Sequence, residues 1–181
     1  MPFNKLKKYP ELLDLSGLDE RARKASLKGV FDRDITDNDN LRFRGKRIYP
    51  IKTDGEIDMN RELLHLTTEE VEDADEQGFV RKHRVYDRYR SERLHWIRPH
   101  IEETVTDSDI EVFSINERNQ RKRSNIVRTY IWNKTRKYVI VLEPQMRNSE
   151  AYYLLTAYYM NKNYAEKQMK KRLAAKLNTV L

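Results

Sequence analysis

The chain has 181 residues, 38% hydrophobic and 36% charged, and is long enough to bury a substantial core. It has no cysteine, which excludes disulfides, thiolate metal sites and a cysteine nucleophile, and its 11 tyrosines argue against a polar, disordered tail. The formal net charge of +7 favours polyanionic partners, while the lack of a membrane-length apolar run or a leader-like start leads us to expect a cytoplasmic chain with no membrane partner.

In chain order, residues 1–17 read as an irregular lead with Pro10 and the apolar patch Leu12, Leu13 and Leu15. The segment from Ser16 to Ile35 reads as a helix, capped by Ser16 or Asp19, with Leu18, Ala22, Ala25 and Val30 forming an apolar stripe. After the polar break TDNDN, two short strands are predicted, Leu41–Ile51 and Glu56–Met59, around an Asp54–Gly55 turn. Residues 1–60 are thus taken as an accessory region, a helix plus a short hairpin, and residues 61–181 as the main domain.

The acidic run Glu69–Glu76 reads as a solvated helix or linker, with a segment laid over a basic surface as the alternative. Residues 79–105, FVRKHRVYDRYRSERLHWIRPHIEETV, have Val85, Tyr89, Leu94 with Trp96 and Ile97, and Ile101 at near-helical spacing, which predicts a helix kinked or restarted at Pro99. His83 would stand at its entrance. Arg81, Lys82, Arg84, Arg88, Arg90 and Arg93 lie between the apolar positions, and Asp87 and Glu92 supply ion-pair partners for only some of them.

Strands are predicted at Ile110–Ile115, Ile126–Trp132, Tyr138–Leu142 and Ala151–Met160, with a basic loop, NERNQRKRS, after the first and a turn, NKTR, after the second. The last two form a hairpin across PQMRNS. Strict alternation would put Tyr152, Leu154, Thr156 and Tyr158 on one face and Tyr153, Leu155, Ala157 and Tyr159 on the other. Asn163 with Glu166 resembles a capping box opening a final helix, along which Ala165, Met169, Leu173 and Leu177 form a narrow seam. The expected fold is α+β: a helical N-terminal part, a four-stranded antiparallel sheet and a C-terminal helix.

No nucleotide-cradling glycine motif, nucleophile elbow, zinc-protease helix or calcium loop occurs, and His95 and His100 are badly spaced for a shared metal, so no metal and no cofactor is expected. What remains is a histidine, a set of arginines and a sheet carrying hydroxyl groups. These are parts for metal-independent RNA cleavage, in which the 2′-hydroxyl is the nucleophile and the protein moves protons and stabilises the phosphate.

RKHRVYDRYRSERLHWIRPHIE, with YVIVL and YYLLTAYY, resembles phage-associated members of the barnase–EndoU–colicin–RelE nuclease superfamily over roughly Gly78–Met160. That resemblance implies a ribonuclease, toxin-like or phage-encoded, with RNA as partner and an immunity (antitoxin) or phage protein as a further partner. It places His83 and Arg84 at a His-Arg position, Arg90 and Arg93 on the helix, and Thr156, Ala157 and Tyr158 at a strand-end signature. The candidate catalytic residues are His83 as general acid or base, Arg90 for the phosphate, and Thr156 and Tyr158 to position it. Candidates for nucleic-acid binding are Arg84, Arg88, Arg93, Arg121, Lys122, Arg123, Arg128 and Lys137. The alternatives are a non-catalytic nucleic-acid-binding module, using the same face, and a phage structural or interaction protein.

Overall fold

Four successive strands after Asp109, rich in β-branched and aromatic side chains, make the centre of a sheet, and the earlier part of the chain is wrapped on it. The computed structural model describes residues 3–50, 52, 53, 55–119, 124–145 and 151–181. Helices α1 (Phe3–Leu6) and α2 (Glu20–Phe31) come first, and α2 runs into a π-helical turn, Asp32–Thr36. Strands β1 (Arg42–Phe43), β2 (Lys46–Pro50), β3 (Lys52–Thr53) and β4 (Glu56–Ile57) follow, then α3 (Met59–Thr67), β5 (Thr68–Ala74) and β6 (Val80–Tyr86). Helices α4 (Arg88–Ser91) and α5 (Ile97–Ile101), separated by a 3₁₀ turn, lead into β7 (Ile110–Asn119), β8 (Ser124–Asn133), β9 (Tyr138–Pro144), β10 (Ala151–Tyr159) and α6 (Ala165–Ala174).

The main sheet has six strands in the order β1-β2-β10-β9-β8-β7. β7 to β10 form an antiparallel meander, but β2 joins β10 in parallel, with Arg47 opposite Ala151 and Pro50 opposite Leu154. The expected four-stranded antiparallel sheet behind a helical N-terminal part is therefore corrected to a six-stranded mixed sheet, with two further two-stranded sheets and helices spread along the chain. A parallel pairing to a strand a hundred residues earlier leaves no turn signal, so nothing local announces it.

One face of the sheet packs Tyr138, Ile140, Leu142, Ile131, Leu154 and Ala157 against Leu27, Val30 and Phe31 of α2 and against Leu94, Trp96, Ile97 and Ile101. Leu13, Leu15, Phe43 and Ile48 belong to the same cluster, so residues 1–60 bury side chains in the core of the main sheet. Each such side chain contributes about 1.5–3 kcal/mol by leaving water. α2 starts at Asp19, whose carboxylate accepts the Ala22 N–H at 2.7 Å. The other face packs Phe113, Tyr130, Trp132, Val139 and Val141 beneath α6, with Met169 buried and Ala165 and Leu173 beside it. No side chain caps α6, whose N-cap is Tyr164, so the expected Asn163–Glu166 capping box does not form.

β10 carries a bulge. Leu154 pairs with Leu142 and Thr156 pairs with Val141, which leaves Leu155 as an extra residue. Alternation therefore slips by one. Thr156 and Tyr158 share the α6 face with Val139 and Val141, while Tyr152, Leu154 and Ala157 stay on the opposite face. The grouping of Tyr152, Leu154, Thr156 and Tyr158 on one face is thereby corrected.

The helix expected over residues 79–105 is also corrected. β5 and β6 form a hairpin in which the acidic segment lies directly against the basic one, Glu70 opposite Arg84, Glu72 opposite Lys82 and Asp73 opposite Arg81. Lys82 reaches Glu72 at 2.7 Å and Glu70 at 3.4 Å, and opposite charges across a ladder stabilise the pairing. The turn is closed by Asp75, whose Oδ1 accepts the N–H groups of Gln77 and Phe79, with Gly78 at φ +81°. Helix begins only at Asp87, which caps α4 through the Arg90 N–H at 3.1 Å. None of the described helices is long and apolar enough to cross a membrane.

Candidate functional site

β2 accompanies β10 only as far as Leu154. Beyond that point α3 and α4 pack against β10 in place of a strand. The last carbonyls of α3 would be unpaired at that junction, and side chains satisfy them. Ser91 Oγ donates to Thr67 O at 3.2 Å, and Thr68 Oγ1 donates to Leu64 O at 2.5 Å. Arg84 Nη2 and Arg90 Nη1 both donate to His65 O at 3.4 Å, so two cations sit at the negative end of the helix.

Arg90 is the hub. Its Nε donates to Asp87 Oδ2 at 3.1 Å, and its Nη1 also donates to Thr156 Oγ1 at 3.2 Å. Its guanidinium lies 5.8 Å from the centre of the Tyr158 ring. The Leu155 bulge makes this possible by turning Thr156 and Tyr158 onto the same face as α6. Burial raises the Tyr158 pKa, so the phenol keeps its proton at neutral pH. Its hydroxyl lies 4.0 Å from the Met169 sulfur, a weak acceptor.

Asp87, Arg90 and Tyr158 line a cavity of about 230 Å³ between α4, the end of β10 and α6, to which Glu69, Lys162, Gln168 and Arg172 also contribute. Arg172 is held by Glu117, Nε to Oε1 at 3.2 Å, and Glu117 also receives Arg128 at 3.0 Å and the Tyr130 hydroxyl at 2.7 Å. Glu69 faces Lys162 across the cleft at 3.7 Å. Three cations, Arg90, Lys162 and Arg172, thus line one cavity with two carboxylates, Asp87 and Glu69, and Asp87 is already committed to Arg90. A second cavity of about 360 Å³ adjoins it along Tyr159–Lys162 and is lined by Tyr89 and Lys137.

Of the sequence candidates, Arg90, Thr156 and Tyr158 come together, and Lys137 borders the adjoining cavity. Arg128 is tied to Glu117 beside Arg172. Arg93 is buried against the Tyr159 ring, 4.0 Å from its centre, and burial lowers its pKa. Arg84 is spent on the end of α3, and Arg88 pairs with Glu92 at 2.5 Å on the outside of α4. Arg121, Lys122 and Arg123 lie outside the described residues, as does Asp54 of the expected turn.

His83 is elsewhere. It sits on the exposed part of β6, and its Nε2 faces Asp73 at 3.5 Å. It stands four residues up the strand from Asp87, roughly 13 Å at the usual rise per residue. The histidine nearest Arg90 is His65, whose pKa falls to about 4 through burial first and then through Arg84, Arg90 and Arg61. His95 and His100 are core residues, both nearly inaccessible.

Sequence reasoning missed Glu69, Arg172, Gln168 and Lys162. One signal was present: Tyr164, Gln168 and Arg172 recur every fourth residue beside the Ala165–Met169 seam, so they share a helix face next to the buried one. Among the described residues no cluster of three or more His, Cys, Asp or Glu is placed to hold a metal ion. The chain is thus an α+β protein with a basic, tyrosine-lined cleft at the end of its central strand. No protein-family model matches it, and comparison with curated proteins and with solved structures gave no match.

Proposed function

We propose that the protein is a metal-independent endoribonuclease, acting in the cytoplasm on RNA bound in the cleft between α4, β10 and α6. The observation that carries this reading is the convergence of Arg90, Tyr158 and Arg172 on one small cavity, with Thr156 accepting a hydrogen bond from Arg90 beside it. In the reaction the 2′-oxygen attacks the adjacent phosphorus and the 5′-oxygen leaves, giving a 2′,3′-cyclic phosphate and a 5′-hydroxyl. Glu69 takes the proton of the 2′-hydroxyl, since Asp87 is occupied by Arg90. Tyr158, protonated at neutral pH, delivers its proton to the 5′-oxygen. Arg90 and Arg172 hold the phosphoryl oxygens as their charge grows, and Thr156 fixes the Arg90 fork.

The position of His83 on the β5–β6 hairpin favours a second reading, a nucleic-acid-binding module that does not cleave. One comparison separates the two. Purified protein is incubated with total RNA in EDTA beside Arg90→Ala, Tyr158→Phe and Glu69→Gln variants. Cleavage by the parent that drops about 10²-fold or more in Tyr158→Phe and Glu69→Gln supports the enzyme. Binding without cleavage in every sample overturns it.

A further inference from the structure

The cavity adjoining the cleft has a different character from the cleft itself. Tyr89 stacks on Tyr159 with ring centres 5.5 Å apart and planes 24° from parallel, yet 47% of Tyr89 remains exposed. Tyr89 and Tyr159 both line the open cavity. Arg93 lies 4.0 Å from the Tyr159 ring centre and 5.9 Å from that of Tyr89, fixing the pair from the protein side. Its Nη1 also donates to Tyr89 O at 3.0 Å. The Tyr89 ring is therefore a supported shelf.

Cations border the shelf. Lys162 lines both cavities, and Lys137 lines the outer one from the β8–β9 turn. Lys137 holds φ at +52°, a conformation that disfavours a side chain, while its carbonyl accepts the Met160 N–H at 2.8 Å.

We infer that Tyr89 is a stacking subsite for an unpaired base of single-stranded RNA, with Lys137 and Lys162 on the phosphates flanking that base. This rests on the reading of the inner cleft as a phosphate site. A base in a duplex has both faces covered by its neighbours, so only an unpaired base can lie on the tyrosine. Because every base has a π-face, the subsite selects strandedness and not sequence.

The test is fluorescence anisotropy of the full chain with a labelled RNA oligonucleotide whose 2′-hydroxyls are O-methylated to prevent cleavage. It is offered as a single strand, as a duplex and as a single strand with base-free sugars in its centre. The expected results are tighter binding of the single strand than of the duplex, roughly ten-fold weaker single-strand binding by Tyr89→Leu, and restoration by Tyr89→Trp. The base-free strand should bind the parent and Tyr89→Leu alike. Equal single-strand affinity of parent and Tyr89→Leu, or equal binding of single strand and duplex, overturns the stacking subsite and leaves the phosphate cleft standing, provided Arg90→Ala still weakens binding. A parent that binds none of the three overturns both.

Discussion

Arg90 and Thr156, 66 residues apart in sequence, are joined by a hydrogen bond of 3.2 Å that ties a one-turn helix to the bulged half of the central strand. The same guanidinium group holds Asp87 and the end of α3, so one side chain links a structural junction to the candidate site. Its loss should register in both stability and activity.

Arg90→Ala is expected to lower cleavage by about 10²–10³-fold, the cost of removing one preorganised donor to a developing anion. It should also destabilise the fold by about 1–3 kcal/mol, because Asp87 and the His65 carbonyl lose a partner in a mostly buried setting. Thr156→Val, which keeps the shape, should cost only about 1 kcal/mol. Urea unfolding with parallel cleavage assays measures both; a variant with full activity removes Arg90 from the site.

His83→Ala should cleave RNA as the parent does, within two-fold. His83 is exposed and its partner Asp73 is on the same hairpin, so the stability change should stay within about 0.5 kcal/mol. A large loss of cleavage would show that the part of the β5–β6 hairpin that carries His83, and not only Glu69 at its base, belongs to the active centre.

Three histidines make the fold acid-sensitive. Burial lowers the pKa of His65 and of His95 to about 4 and also lowers that of His100. The unfolded chain takes up these protons as pH falls through about 6.5, whereas the folded chain holds out to lower pH. Stability is thus fully present above about pH 6.5 and is lost towards pH 4, by up to about 3 kcal/mol for a well-buried residue such as His95. His95→Leu should therefore flatten the profile, checked by urea midpoints between pH 4.5 and 7.5.

Asn133 ties the N-terminal lead to the sheet. Its Nδ2 reaches Asp107 at 2.7 Å, His100 Nε2 at 3.0 Å and the Tyr9 hydroxyl at 3.1 Å, while its Oδ1 accepts the Arg136 N–H at 2.9 Å. Asn133→Leu leaves several buried polar groups unmatched at once and should destabilise by about 2–4 kcal/mol. Tyr9→Phe removes only one arm, at about 1 kcal/mol. Thermal unfolding of the two variants should rank them in that order.

Much of the sheet was legible in the sequence because the signal there is local. The segment that became β7 alternates apolar and polar side chains, and those that became β8, β9 and β10 are rich in β-branched and aromatic residues, the last two dense runs separated by turn-forming residues. The pairing of Arg90 with Thr156 and Tyr158 was legible only as residue chemistry, an arginine fork and two hydroxyls. Three things were not legible. The hairpin β5–β6 depends on an acidic strand meeting a basic one, and each alone has the composition of a solvated helix. The parallel union of β2 with β10 is a contact between distant segments. The bulge at Leu155 depends on register, which is set by how both faces of β10 pack rather than by its own residues.

By itself, then, the sequence determined composition, charge, strand periods and the stock of arginines and hydroxyls, because these depend on each residue and its near neighbours. The tertiary structure alone decided which arginines cap a helix and which line the cleft, that His83 stands apart, and that Arg172 faces Arg90. Those outcomes depend on where distant segments meet and on the one-residue slip that turns Thr156 and Tyr158 towards α6.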